Sequence, residues 1–445
     1  MTVPSLARSR RGSELGLGLL AVVVTGGGYV VMSLADQPNL PADLWAFLGI
    51  VLGLFVLAHI AVRRLAPNAD GTLLPLVAML NGIGFIFIAR LDREQGRTQA
   101  LWTAVGVGAF IATLIIVRRV RTLERYRYTA LFLGIALLLM PLVPGVGRQI
   151  NGSRLWVHLG PFQVQPGEVV KILMVLFFAS YLVDKRELLT EGSVTIGGLR
   201  IPDPKHLGPL LLAWGVSIAV MVLQKDLGSS LLFFTVFAAM LYIATSRASY
   251  LLLGLVMFVG GAVVAYMLFA HVQSRVGTWL NPWPVADRGG YQLVQGLFAF
   301  GNGGIAGTGL GLSNPRNIPL NTTDSIFAVI GEELGLIGTV GVLSTFMLLV
   351  GSGYRVALQA ERAFPKLFAA GLTTILGVQA FVIIGGVSRF IPLTGVTLPF
   401  VSFGGSSLVA NYVIIALLLR ISDEETTREL DPDAVRSRRP VSSAT

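Results

Sequence analysis

Long runs of apolar residues, separated by short polar segments, follow one another along most of the chain. A helix needs about 20 consecutive apolar residues to cross a bilayer, and runs near this length recur throughout. We predict twelve membrane-spanning helices, at 15–34, 44–62, 72–89, 100–117, 129–143, 169–183, 207–223, 227–245, 250–270, 325–351, 366–386 and 403–419.

Three of these spans rest on weaker patterns. The run at 129–143 is shorter than a usual span, and the polar residues Gln224, Lys225 and Asp226 interrupt one apolar stretch between 207 and 245. We interpret this interruption as a turn between two helices. The composition agrees with a membrane protein, because only 13% of the residues are charged, against about 25% in soluble domains.

Lysine and arginine are unevenly distributed among the loops. If the amino terminus is cytoplasmic, the inner loops carry more than twice as many basic residues as the outer ones, which is the bias that orients membrane proteins. We therefore predict that both termini are cytoplasmic. The net charge of +10 then reflects topology, and no basic and aromatic pattern indicates nucleic-acid binding. The chain has no cysteine, which excludes disulfides and thiol chemistry.

Two predicted outer loops, 144–168 and 270–323, are longer than the about 12 to 15 residues beyond which connections are usually functional or disordered. Both contain aromatic residues, such as Trp156 and Trp279, that a solvated linker has no reason to expose. The larger loop also has ten glycines between Gly277 and Gly311. The polar segment 421–445, in contrast, is predicted to be a disordered cytoplasmic tail.

Charged residues near or within the predicted spans are the first candidates for function, because a charge at the bilayer centre costs about 2.5 to 3.5 kcal/mol. Glu168 and Lys171 lie three residues apart on one helix face and can pair, either as part of a site or as a structural ion pair. Glu332 and Glu333 are adjacent and must face different surroundings. One of them could simply bind an arginine of the bundle.

Three aspartates next to or between the apolar runs are further candidates. Asp226 follows the seventh span, and Asp324 ends a Thr-Thr-Asp sequence that predicts a helix cap. Asp287 lies in the loop 270–323 without a neighbouring acid, and such a residue is most often part of a turn. The four histidines are scattered, and no metal, phosphate-loop or nucleophile motif occurs. These residues indicate an outward-facing polar site but do not distinguish a carrier from an enzyme.

Six segments, in order, resemble the SEDS (shape, elongation, division and sporulation) family, which includes RodA and FtsW. They are Asn-Gly-Ser-Arg-Leu-Trp at 151–156, Gln-Pro-Gly-Glu-Val-Val-Lys at 165–171, Gln-Lys-Asp-Leu-Gly at 224–228, Gly-Tyr-Gln at 290–292 with the glycine-rich run 303–311, Thr-Asp-Ser-Ile-Phe-Ala-Val-Ile-Gly-Glu-Glu-Leu-Gly at 323–335, and 392–407. Lys225 stands where the family usually has proline. Asp287 lies closer to Gly-Tyr-Gln than the family's essential loop aspartate usually does.

The resemblance implies an all-α membrane bundle with ten core helices in the region 72–420. Residues 1–71 then form the cytoplasmic amino terminus and two additional helices, an arrangement similar to RodA-type proteins of actinobacteria. The run Asn281-Pro282-Trp283 is more similar to FtsW.

The resemblance also implies peptidoglycan glycosyl transfer, for cell elongation or division, on the outer face of the bacterial cytoplasmic membrane. Lipid II would be added to an undecaprenyl-linked glycan, and undecaprenyl diphosphate would leave. Asp287, the only acid in its loop, would be the general base. A divalent cation, Mg²⁺ or Mn²⁺, and a class B penicillin-binding protein as partner are further expectations. Substrate binding is implied for Arg154, Glu168, Lys171, Asp226, Tyr291, Gln292, Glu332 and Ser406.

Two alternatives differ in class. A lipid II flippase would use the same charged interior, and inverted repeats would favour it, but the sequence shows none. A scaffold that only recruits a synthase would tolerate replacement of Asp287.

Overall fold

A computed structural model gives the structure of the chain. It describes residues 3–36, 44–150, 153–160, 162–191, 193–196, 199–202 and 204–430. Asn151 and Gly152 of the first family motif, and the part of the predicted tail after 430, lie outside the described residues.

The described residues are mostly helical, and their helices follow the predicted apolar runs. They are α1 Val3–Asp36, α2 Leu44–Leu65, α3 Leu73–Leu91, α4 Arg93–Ile116, α5 Arg127–Leu139, α6 Pro166–Asp184, α7 Arg186–Glu191, α8 Pro204–Leu223, α9 Leu227–Thr245, α10 Ala248–Leu268, α11 Ala270–Leu280, α12 Tyr291–Gly303, α13 Ile326–Gln359, α14 Ala363–Val387 and α15 Gly405–Leu430.

Ten helices among the described residues are long and apolar enough to cross a membrane: α1, α2, α3, α4, α6, α9, α10, α13, α14 and α15. They coincide with ten of the predicted spans and confirm the helical membrane class. The other two predicted spans correspond to α5, which has 13 residues, and to α8. The total of twelve spans stays a prediction.

Two small sheets form in segments that were predicted as loops. In the loop 144–168, β1 Gly147–Ile150, β2 Ser153–Leu159 and β3 Phe162–Val164 form an antiparallel sheet in the order β1-β2-β3. Between α7 and α8, β4 Ser193–Ile196 and β5 Leu199–Pro202 form a hairpin. The three-stranded sheet gives this outer loop an ordered wall that can line a site.

The additional helices α1 and α2 pack onto the core. Thr25 of α1 fills the space beside Gly82 of α3, where a Cβ atom would lie only 1.9 Å from the threonine hydroxyl. The buried Glu14 carboxylate of α1 accepts a bond from Arg63 of α2 at 2.7 Å and lies 3.1 Å from His59 Nδ1. The helices α1 and α2 are therefore part of the bundle.

Helix α13 is interrupted at Gly335, whose backbone is left-handed (φ 64°, ψ −162°). The carbonyls of Glu332 and Glu333 accept bonds from the Thr308 and Gly309 amides at 2.9 and 3.0 Å. Beyond the break, the Leu336 amide donates to the Gly304 carbonyl at 3.0 Å. Non-helical backbone at membrane depth is tolerated where protein satisfies it, and the glycine-rich segment 304–309 does so here.

Helix α15 continues to Leu430, so the prediction of a disordered tail from residue 421 is wrong for residues 421–430. The polar residues of this extension are satisfied by the connection between α2 and α3. The Asn68 amide donates to Asp423 Oδ1 at 2.9 Å, and the Asp70 amide donates to Ser422 Oγ at 3.0 Å. The polar composition of this segment predicted a solvated tail. The sequence could not show that Asn68 and Asp70 bond these residues, because both are more than 350 positions away.

Candidate active site

A cavity of about 970 Å³ lies at the end of the bundle where the two long loops meet. Its walls come from β2, from the start of α6, from the turn between α8 and α9, from α11 and α12, and from the segment 393–405. Three tryptophans, Trp102, Trp156 and Trp279, contribute to an apolar part of the lining. The volume is within the range of about 300 to 1,000 Å³ that is typical of ligand sites.

The cavity also has a charged part, in which acids and bases face the same space. The charged lining residues are Glu168, Asp226 and Asp324 together with Arg97, Lys225 and Arg275. A ligand with a charged head and an apolar chain matches this combination.

Asp226 lies at the start of α9 and caps it. Its carboxylate accepts bonds from the amide and the hydroxyl of Ser229. Burial raises the pKa of Asp226, while the Ser229 bonds and the charge of Arg275 oppose the shift. Asp226 thus lines the cavity and caps α9, while its role in substrate binding stays a prediction.

Asp324 does not cap α13, because the helix begins after Ser325 and has no side-chain cap. The loop before α13 is instead tied down through its carbonyls: Ser402 Oγ donates to Thr323 at 2.7 Å and the Phe403 amide donates to Thr322 at 2.8 Å. Among the described residues, no hydrogen-bond donor contacts the Asp324 carboxylate, which faces the cavity.

The pKa of Asp324 is raised to about 6. Burial is the main cause, the negative charge of Asp226 adds to it, and the positive charge of Arg275 opposes it. A carboxylate with this pKa is ionised at neutral pH and is basic enough to accept a proton. The prediction of a helix cap at Asp324 is wrong, because α13 has no side-chain cap.

Arg275 of α11 is oriented by backbone carbonyls. Its Nη1 atom donates to Thr394 at 3.1 Å and contacts the Leu393 carbonyl at 3.4 Å. The end of α11 is held by Arg389, whose Nε donates to the Trp279 carbonyl at 2.9 Å, and Trp279 Nε1 donates back to the Arg389 carbonyl at 3.1 Å. These bonds position one wall of the cavity.

Glu168 and Lys171 pair as predicted, with Nζ 2.6 Å from Oε2. Glu168 lines the cavity, whereas Lys171 is buried behind it and also donates to Gln379 Oε1 at 2.8 Å. Gln379 in turn donates to the Thr397 carbonyl at 2.9 Å. Lys171 therefore holds Glu168 in place rather than facing a ligand.

Gln292 also lines the cavity, and its Nε2 atom donates to Ser325 Oγ at 3.0 Å, next to Asp324. Arg154, Asp287 and Tyr291 do not line it; each is exposed. In β2, the lining residues are Ser153, Leu155 and Trp156, next to Arg154 in the strand. Asp287 lies two residues before Gly289, which lines the cavity, and its role as the base stays a prediction.

Glu332 and Ser406 lie outside the cavity lining and serve the packing around it. Glu332 is buried in α13 near Asn302, while the adjacent Glu333 forms an ion pair with Arg90. The alternative that one glutamate binds an arginine of the bundle is confirmed. Ser406 Oγ accepts a bond from the Gln165 amide at 2.9 Å.

The cavity does not contain a set of residues that fits a resident divalent cation. In the part of the chain that the structure describes, no group of three or more histidine, cysteine or acidic side chains could hold a metal ion. Asp226 is already bonded to Ser229, and the charge of Arg275 acts on both Asp226 and Asp324. We therefore derive no step through a metal.

The fold and the cavity define a multi-pass membrane protein with a site for an amphipathic, charged ligand at one end of its helical bundle. A family model described as cell cycle protein, for FtsW, RodA and SpoVE, matches residues 71–427. The chain belongs to this family, which confirms the resemblance seen in its motifs.

Curated relatives support the same assignment. The chain is 44% identical over 425 residues to the peptidoglycan glycosyltransferase RodA of Mycobacterium tuberculosis, covering 93% of this chain and 91% of the relative. It is 42% identical over 432 residues to RodA of Mycobacterium leprae, with 95% and 92% covered. The probable peptidoglycan glycosyltransferase FtsW of Geobacter metallireducens is 34% identical over 341 residues, with 76% and 85% covered.

Two solved structures are similar in fold. RodA of Thermus thermophilus matches with a TM-score of 0.58 and 26% identity, over 80% of this chain and 97% of that chain. A chain of a peptidoglycan synthase complex matches with a TM-score of 0.66 and 26% identity, over 80% of this chain and 98% of that chain.

Proposed function

We propose that the cavity is the place where this chain adds lipid II to a lipid-linked glycan and releases undecaprenyl diphosphate. The chain is a peptidoglycan glycosyltransferase, as its relatives at 42 to 44% identity are named over more than nine tenths of its length. The proposal for the cavity rests on its charged and apolar lining, since the substrate carries a diphosphate, a sugar and a polyprenyl chain.

The reaction needs a base that takes the proton from the attacking sugar hydroxyl while the bond to the diphosphate breaks. We infer that Asp324 takes this role, and Asp287, the base that the family resemblance implies, is the alternative. The observation that carries the assignment is that Asp324 faces the cavity, lacks a hydrogen-bond donor among the described residues and has a pKa of about 6. A positioned base contributes about 10² to 10⁴ in rate.

Charge that develops on the leaving diphosphate is stabilised by preorganised cations. Arg275 is held in place by backbone carbonyls and faces the cavity. Glu168, fixed by Lys171, is placed to orient a sugar hydroxyl or amide from the opposite wall. The tryptophan side of the cavity offers an apolar surface to the sugar faces and the start of the polyprenyl chain.

The orientation follows from the basic residues of the loops. The cavity then opens on the outer face of the bacterial cytoplasmic membrane, with both termini cytoplasmic. A class B penicillin-binding protein as partner is supported by the similarity to a chain of a peptidoglycan synthase complex. A requirement for Mg²⁺ or Mn²⁺ stays a prediction from the family resemblance.

The direct test is polymerisation of fluorescent lipid II by the purified chain in detergent, with and without the partner. Detergent removes the two compartments that a flippase needs, so glycan ladders can arise only from glycosyl transfer. We expect ladders from the wild-type chain and none from Asp324→Asn. Absence of ladders with the partner and a divalent cation present would contradict the proposal and favour a flippase or a scaffold.

A further inference from the structure

Lys225 occupies the turn between α8 and α9. Its side chain is exposed and lines the cavity, directly beside Asp226. In the described part of the chain, no acid or carbonyl bonds its ammonium group. A lysine that faces a cavity without a partner there is available to a ligand.

The backbone of Lys225 is left-handed, with φ 63°. Residues other than glycine and asparagine rarely adopt this backbone conformation. A lysine is therefore an unfavourable residue here if its only role is to form the turn. The turn is fixed by its neighbours: the Lys225 amide donates to the Val222 carbonyl at 3.0 Å, and Gln224 Nε2 donates to the Leu138 carbonyl at 2.6 Å. The backbone of Lys225 is therefore held at one place in the cavity wall.

Lys225 and Arg275 both line the cavity, and the charges of both act on His271 of α11. Burial lowers the pKa of His271, and the charges of Arg275 and Lys225 lower it further. Arg275 uses Nη1 for backbone carbonyls, and a guanidinium has five N–H donors. Other donors of Arg275 and the ammonium group of Lys225 can therefore face one anionic group.

We propose that Lys225, together with Arg275, binds the diphosphate of the lipid-linked substrate and of the released product. This inference rests on the proposed function and adds the location of the diphosphate within the cavity. The phosphate end lies at the turn between α8 and α9, while Asp324 receives the proton of the sugar hydroxyl. Lysine suits this role because its ammonium group is a compact point charge.

The test measures binding of undecaprenyl diphosphate to the full chain in lipid nanodiscs, so that turnover is not needed. Lys225→Gly removes the ammonium group and keeps a residue that accepts φ 63°, and we expect its thermal stability to equal or exceed that of the wild type. Lys225→Arg keeps the charge. Lys185→Gly, at the end of α6 and outside the cavity lining, is the matched control.

We expect Lys225→Gly to weaken binding of undecaprenyl diphosphate by roughly tenfold or more, the effect of one hydrogen bond to a charged group. Binding of undecaprenol, which lacks the diphosphate, should stay unchanged, and Lys225→Arg should retain most of the affinity. Unchanged binding of undecaprenyl diphosphate to Lys225→Gly would overturn the proposal. An equal loss for undecaprenol would also overturn it, because the lysine would then act through the fold.

This assay separates the inference from the proposed reaction. If the wild-type chain makes no glycan ladders but loses undecaprenyl diphosphate binding on Lys225→Gly, the polymerase mechanism fails and the diphosphate site stands. If ladders form and Lys225→Gly binds like the wild type, the mechanism stands and the diphosphate site fails.

Discussion

Asp324 carries a negative charge where burial opposes ionisation, and this should be visible in the pH dependence of the reaction. Because its folded pKa is raised to about 6, the carboxylate is protonated below that pH and cannot accept the sugar proton. We expect the initial rate of polymerisation to fall as the pH drops through about 6. A rate that is flat between pH 5 and 7 would contradict the assignment.

Asp226 provides a matched test of the same carboxylate, because its charge raises the pKa of Asp324. Asp226→Asn removes this charge and keeps a residue that caps helices well. The acidic limb of the pH–rate profile should therefore move to lower pH in the variant. A limb that stays in place would show that the group titrating near pH 6 does not sense Asp226.

Arg389 should act through the position of α11 rather than by contact with a substrate. Arg389→Ala removes the bonds from Nε and Nη2 to the carbonyls of Trp279 and Leu280, and we expect a loss of about 1 to 3 kcal/mol of stability together with weaker substrate binding. Thermal unfolding and KM measure these effects. Phe390→Ala, at the exposed neighbouring residue, is the control and should leave both nearly unchanged.

Single residues differ in how far the sequence could predict them. The pairing of Glu168 with Lys171 follows from helical spacing and is confirmed, because both partners lie in one element. Asp324 was predicted to cap a helix because it precedes an apolar run. Its place beside the cavity could not be predicted, because the loop before it is held by Ser402 and Phe403, about 80 residues away. Asp287 was favoured as the only acid of the loop, although its spacing from Gly-Tyr-Gln already differed from the family pattern.

At the scale of elements, the glycine-rich segment and the broken helix α13 depend on each other. Gly307 has a φ of 83°, and a Cβ atom there would lie 2.1 Å from the Glu333 carbonyl oxygen. We expect Gly307→Ala to lower the thermal stability markedly and to abolish polymerisation. Gly301→Ala is the control, because nothing lies within 4 Å of its added Cβ. Equal stability of the two variants would contradict the pairing of the loop with α13.

The elements themselves follow the sequence where one physical signal dominates. Apolar length predicted twelve spans, because the bilayer requires it, and ten of them coincide with described helices that are long and apolar enough to cross a membrane. The strands β1 to β3 gave no comparable signal. They have only three to seven residues, too few for an alternation of apolar and polar residues to be recognised. The extension of α15 was missed because its polar residues are stabilised by Asn68 and Asp70, over 350 positions away.

At the scale of the whole molecule, the orientation in the membrane can be tested directly because the chain has no cysteine. Asn314→Cys lies in the predicted outer loop and Thr122→Cys in the connection between α4 and α5; both positions are exposed. In intact cells, a membrane-impermeant maleimide should label only the cysteine at 314. Labelling of the cysteine at 122 alone would invert the topology and place the cavity on the cytoplasmic side.

The most direct measurement compares Asp324→Asn with Asp287→Asn at equal folded amount, in the synthesis of glycan from fluorescent lipid II. Both variants remove one carboxylate, but only Asp324 faces the cavity. We predict that Asp324→Asn loses about 10² to 10⁴ of the rate, while Asp287→Asn stays close to the wild type. Full activity of Asp324→Asn, with loss in Asp287→Asn, would contradict the account and return the catalytic role to the exposed loop.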